Sequence, residues 1–164
     1  MYDKLRSYLD RERQKLVKEK SKKDIGAVLG WCEGNDKLPV EMDIPFVVSY
    51  EYEAGVEKDN FIRFFISTKR LLSIPNRVKH LHADATYKLI FEGYPVMIVG
   101  ITDKKRKFHP CGLAITKTEA NEDYAFLFKS LKKGVELITK QKYEPVYLVA
   151  DCASAITNGF SEAF

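Results

Sequence analysis

The sequence predicts a mixed α/β domain over residues 79–164, built as strand, strand, strand, helix, strand, helix. Three observations carry that expectation. Three apolar runs follow one another through short polar turns, which implies an antiparallel meander. A long segment of helical period comes next, with Tyr124, Leu127, Phe128, Leu131, Val135 and Ile138 on one face. The compact run Val146–Ala150 then reads as a strand covered on both faces. A strand reached through a helix after a meander requires a crossover, so it runs parallel to a meander strand.

Taken in order, residues 1–20 have good helix formers around a thin apolar stripe of Tyr2, Leu5, Leu9, Leu16 and Val17. Residues 21–45, punctuated by Gly26, Gly30, Gly34, Pro39 and Pro45, read as a connector with one short helix, so that 1–45 forms a basic N-terminal helix and connector. Phe46–Tyr52 and Asn60–Ser67 are rich in Val, Ile, Phe and Tyr and predict a β-hairpin with a long loop. Thr68–Ser73 fits a helical turn halted before Pro75, completing a lead-in over 46–78. In the third region, 79–164, the strands are expected at His80–Phe91, Pro95–Thr102 and Phe108–Thr116. Gly93 and Asp103–Lys107 make the turns, the long helix covers Glu119 to about Thr139, and a last helix starts at Ser154.

A chain of 164 residues with 45% hydrophobic content, ten Phe and nine Tyr can bury a real core. No apolar run is long enough for a membrane span, and the charged N-terminus lacks the apolar stretch of a secretory signal. Cys32, Cys111 and Cys152 match neither a disulfide framework nor a zinc pair, which points to a reducing compartment, nucleus or cytosol. The net charge of +4 is clustered: residues 1–23 hold nine Lys or Arg against four Asp or Glu, and Lys104-Lys105-Arg106-Lys107 occupies a turn. Such clusters attract phosphates, and they are equally what solvated faces look like.

Two aspartates stand out. Asp84 interrupts the apolar strand pattern His80-Leu81-His82-Ala83-Asp84-Ala85-Thr86-Tyr87, where Asp is normally disfavoured. Asp151 follows Val146–Ala150 where the strand runs out, the place where sheets with parallel strands gather ligands. If the two strands are neighbours, the carboxylates approach closely, and a divalent cation with a taste for hard oxygen would relieve their repulsion. The plain alternatives are that Asp151 caps the following helix, with Ser154 in a similar role, and that Asp84 is a buried, hydrogen-bonded residue.

The stretches Ala83-Asp84-Ala85-Thr86-Tyr87-Lys88, Gly93-Tyr94-Pro95-Val96, Phe108-His109-Pro110, Thr118-Glu119, Asp123-Tyr124 and Ala150-Asp151 resemble the transposase domain of Mutator-like elements. The upstream Ser67-Thr68-Lys69-Arg70-Leu71-Leu72 resembles that family's lead-in. The resemblance implies a ribonuclease H-like fold and an Asp-Asp-Glu catalytic set, with Asp84 and Asp151 as the first two acids and Mg²⁺ or Mn²⁺ as cofactor. It implies two-metal phosphoryl transfer on DNA, at transposon ends and target, in the nucleus. Lys88 and the Lys104, Lys105, Arg106, Lys107 turn are the expected phosphate contacts. A homodimer is compatible with it; a membrane or a small-molecule substrate is not implied. In the family the third acid comes from a helix well downstream, and Glu162 is too near to Asp151 for that role. The chain therefore resembles an incomplete core, weak or inactive as a nuclease, and a non-catalytic DNA- or protein-binding module is the alternative.

Glu119 is a further candidate, since ribonuclease H enzymes place a metal-binding Glu near the start of the equivalent helix. Against this, a first-turn acid interacts well with the helix dipole, with Thr118 as the cap. Glu122 and Asp123 read as solvated first-turn acids. His80, His82 and Asp84 alternate and so share a strand face, a spacing that could bind zinc but lacks a fourth ligand. Cys152 has no visible base partner.

Overall fold

The computed structural model describes residues 25–54, 61–87 and 93–164. The predicted N-terminal helix, the hairpin loop and Lys88 lie outside these residues. Residues 25–34 are helical (α1). The elements that follow are β1 (Phe46–Glu53), β2 (Phe61–Ser67), α2 (Lys69–Leu72), a 3-10 turn at Pro75–Arg77, β3 (His80–Thr86), β4 (Val96–Thr102), β5 (Phe108–Ile115), α3 (Asn121–Thr139), β6 (Tyr147–Val149) and α4 (Ser154–Ala163). The described part is a mixed α/β structure with one six-stranded mixed sheet and four helices.

The sheet order is β1-β2-β5-β4-β3-β6. β3, β4 and β5 form the expected antiparallel meander, and β6 returns parallel to β3 with His80, Leu81 and His82 opposite Tyr147, Leu148 and Val149. The hairpin is the outer part of the same sheet, because β2 pairs with β5 through Phe64–Ile66 against Leu113–Ile115. β3 is shorter than expected: the backbone bends at Tyr87, and Gly93 takes a positive φ of 75° before β4. That left-handed conformation is why glycine stands there.

Alternation along the strands sorts the side chains into two faces. Leu81 and Ala83 of β3, Met97, Val99 and Ile101 of β4, and Cys111 and Ala114 of β5 are buried with Leu127, Phe128, Leu131 and Val135 of α3. α4 closes over α3, stacking Phe160 and Phe164 around Phe128. Each such large side chain contributes about 1.5–3 kcal/mol by leaving water. The second face is covered only at the hairpin end among the described residues, where Cys32 and Val28 of α1 pack with Val47 and Phe64. Across β3 and β6 this face is open, with Tyr147 and Val149 64% and 50% exposed.

α3 begins after a loop fixed by Thr116, whose hydroxyl donates to the Thr118 carbonyl at 2.7 Å. Its N-cap is Ala120, not Thr118. The capping function passes to Asp123, which accepts from the Thr118 hydroxyl at 2.5 Å and reaches back to the Ala120 N–H at 3.4 Å. Asp123 is therefore no solvated acid: it is buried, and the Arg63 guanidinium of β2 lies 3.2 Å away. Arg63 also forks onto Glu51 and is flanked by the Phe61 and Phe126 rings at 5.3 and 5.0 Å. The period of α3 placed Asp123 in a polar first turn; the partner that draws it inward comes from a strand sixty residues earlier.

Candidate functional site

β3 and β6 run parallel, so their C-terminal ends meet at one end of the sheet. α3 starts at that end as well, because it follows β5, which runs parallel to β3 through the meander. The β3–β6 ladder closes at His82 opposite Val149. Asp84 and Asp151 each stand two residues beyond that last pair in sequence, Asp84 still within β3 and Asp151 after the end of β6. Adjacent strands lie about 4.8 Å apart. The order of elements therefore sets both aspartates at the C-terminal end of neighbouring parallel strands, Asp84 within β3 and Asp151 just after β6.

Neither plain alternative describes these aspartates. Asp84 is exposed, and its carboxylate accepts only the Ala85 N–H, at 2.9 Å, among the described residues. Asp151 is exposed too, and α4 has its N-cap at Ala153 with no side-chain capping bond, so neither Asp151 nor Ser154 caps it. Among the described residues neither aspartate forms an ion pair with Lys or Arg. Two hard oxygen donors are thus available to a cation.

Around them sit Glu119 and two tyrosines. The Tyr124 phenol, on the first turn of α3, is pushed up to about 12, first by burial and then by the negative charges of Glu119, Asp84, Tyr87 and Asp151. It remains protonated at any physiological pH. The Tyr87 phenol is likewise raised, by burial and by the charge and hydrogen bond of Glu119. Glu119 is thereby engaged from the helix side, whereas alternation puts Asp84 on the open face with His80 and His82. Among the described residues no three of His, Cys, Asp and Glu converge closely enough to hold a metal ion. What Asp84, Asp151 and Glu119 share is the Tyr124 phenol, on which the charges of all three act.

The tyrosines were not singled out as site residues by sequence reasoning. Tyr124 counted toward the apolar stripe of α3, and Tyr87 toward a longer strand. Their signal lay in position: one follows Asp84 by three residues, the other is the fourth residue of α3, five after Glu119.

The alternating His80 and His82 are tied down elsewhere. Both Nε2 atoms lie 3.0 Å from the Thr102 hydroxyl, and His80 Nε2 is also 3.0 Å from the Thr102 carbonyl. Burial and the neighbouring His80 lower the His82 pKa. The Lys104, Lys105, Arg106, Lys107 turn is exposed but sits at the far end of the sheet. Ile98 pairs with Asp84, and four residues of β4, about 13 Å of strand, separate it from Thr102 where that turn begins.

Residues 80–164 match the family model of the MULE transposase domain, just over half of the 164-residue chain. The chain belongs to the MULE transposase domain family. The matched span of this MULE transposase domain opens with β3 and takes in the meander, the crossover helix, Asp151 and α4. The hairpin that supplies Arg63 lies before it. No curated protein and no solved structure matches the chain. No helix among the described residues is long and apolar enough to cross a membrane.

Proposed function

We propose that this domain works on DNA as a transposase-type nuclease and strand transferase with a ribonuclease H-like core, using two-metal phosphoryl transfer. The observation that carries the reading is the placement of Asp84 and Asp151 at the shared C-terminal end of two parallel strands, exposed and without a cationic partner among the described residues. Their chemistry fits Mg²⁺ or Mn²⁺, which take hard carboxylate oxygens and keep several waters. When bound, such ions prepare a water or 3′-hydroxyl for attack and offset charge on the leaving oxygen.

The chain's own residues have separable tasks. Asp84 and Asp151 would hold the cations. Glu119, steadied by the Tyr87 phenol, borders the pair from the helix side. Tyr124 keeps its proton and so adds no further negative charge beside the acids. Transposon ends and target DNA are the proposed partners, the nucleus is the proposed location, and a homodimer is compatible with both.

That no three acids converge among the described residues favours a second reading, a DNA- or protein-binding module without cleavage. Titration calorimetry with Mn²⁺ tests the first reading. Asp84→Asn and Asp151→Asn should each weaken binding about tenfold or more; unchanged affinity in both overturns it. DNA binding with a steep salt dependence and no nicking in Mn²⁺ marks the second.

A further inference from the structure

The open face of the sheet carries a row of rings at the end away from the aspartates. Phe108 of β5 pairs with Thr102 of β4, and His80 of β3 pairs with Tyr147 of β6. Thr102 joins the two halves by bonding the His80 and His82 imidazoles. The His80 and His82 rings meet edge to face at 5.5 Å, and His82 meets Phe108 at 6.2 Å. Phe108 lies over Gly100, where a Cβ would come within 2.5 Å of its ring, so a glycine lets the ring lie down on the sheet. The row crosses four strands, about 14 Å.

Two features of the row are unlike a core remnant. Tyr147 and Phe108 are 64% and 44% exposed, although each ring sits on an ordered strand. Positive charge borders it: Lys79, directly before His80, and the Lys104, Lys105, Arg106, Lys107 turn, directly before Phe108, are all exposed. The acid of the same turn, Asp103, is engaged by His109 at 2.9 Å and by the Lys105 and Lys107 N–H groups. Flat, exposed rings beside cations that form no ion pair among the described residues match the needs of an unpaired nucleic-acid strand, whose bases stack and whose phosphates seek charge.

We infer that this ring row is a binding surface for an unpaired DNA strand, with Phe108 and Tyr147 as the stacking residues and the basic turn as the phosphate contact. Thr102 holds the His80 and His82 imidazoles and His82 meets the Phe108 ring, so this part of the row is ordered before binding. The same face continues along β3 and β6 past Val149 to Asp84 and Asp151. A strand anchored on the rings therefore has a direct path to the acid pair. The choice of DNA and this continuation rest on the transposase reading; stacking on the row does not.

The test uses the full chain in EDTA, which keeps it apart from the metal titration. Fluorescence anisotropy follows a labelled oligothymidylate of about twelve nucleotides, within the usual site size for stacking surfaces, and the corresponding duplex. The single strand should bind about tenfold tighter than the duplex. Tyr147→Ala and Phe108→Ala should each weaken it about tenfold, the typical loss of one stacked base, while Phe108→Tyr retains affinity. Lys104→Ala with Lys105→Ala should lower the salt slope by about 0.7 for each phosphate no longer neutralised. Thermal melting confirms folding, and Tyr147→Ala, at an exposed site, serves if Phe108→Ala unfolds. Absence of binding, equal affinity for the duplex, or ring variants that bind like the parent would each overturn the inference. So would sedimentation showing a dimer that Tyr147→Ala dissolves, which would assign the row to a second copy. Failure of Mn²⁺ binding alone would sink the two-metal reading and leave this surface standing.

Discussion

Replacing Arg63 with Met isolates the bond that ties the hairpin to the first turn of α3. The guanidinium lies 3.2 Å from the Asp123 carboxylate, with side chains 15% and 5% exposed. Breaking a fully buried ion pair by removing one partner costs about 3–5 kcal/mol. Here the loss is smaller, because Asp123 keeps the Thr118 hydroxyl at 2.5 Å and Arg63 is not wholly enclosed. Methionine preserves the apolar stem between Phe61 and Phe126, so packing is largely retained. We expect a loss of about 2–3 kcal/mol, or about 4–12 °C in Tm for a chain of this size. Urea denaturation with an unchanged m value measures it. Asp123→Asn removes the stranded charge, so the double variant Arg63→Met/Asp123→Asn should be more stable than the sum of the single losses by about 1–2 kcal/mol. Losses that add to within about 0.5 kcal/mol would refute a direct ion pair, as would an Arg63→Met cost below about 1 kcal/mol.

Further outcomes follow from close approaches and burial. Gly159→Ala would set a Cβ 2.6 Å from Tyr124 Cβ and 2.7 Å from the Ala125 nitrogen, which forces α4 off α3 and should cost about 1–3 kcal/mol by urea denaturation. Gly134→Ala should be milder, because the atoms it meets are side-chain ends, the Leu72 methyls at 2.8 and 3.0 Å and Val48 Cγ1 at 3.2 Å, and alanine improves helix propensity by up to about 1 kcal/mol. Leu131→Ala, in the fully buried core, should cost about 2–5 kcal/mol and lower the thermal midpoint accordingly. The His82 pKa is lowered from 6.5, so the unfolded chain binds its proton first; the stability tied to a neutral His82 is intact above that value and fades as pH falls below it. Urea midpoints at pH 7.5 and 5.5 should therefore converge in His82→Gln relative to the parent.

Much of the region beyond residue 79 was legible because its signals are local. Gly93 sits at positive φ, the Asp103–Lys107 turn joins β4 to β5, and α3 ends at Thr139 with Lys140 in the left-handed conformation. The crossover rule then gave the parallel pairing of β6 with β3 from the order of elements alone. What the sequence hid depends on distant partners. The hairpin's place in the sheet is set by Phe64–Ile66 meeting Leu113–Ile115, and no local pattern announces a pairing across some fifty residues. Asp123 looked solvated because Arg63 is far away in sequence. The basic turn attracted attention by charge, whereas strand direction decides which end of the sheet it occupies.

The three thiols differ in a way that offers experimental access to the acid pair. Cys32 and Cys111 are buried, and burial pushes their pKa up to about 11 and about 12, so both are poorly reactive. Cys152 is exposed and directly follows Asp151. A maleimide dye or a spin label applied to the unaltered protein would consequently attach at one place, beside the second aspartate. Quenching by Mn²⁺, or a change in mobility when an oligonucleotide arrives, would then report on that neighbourhood without a single engineered residue.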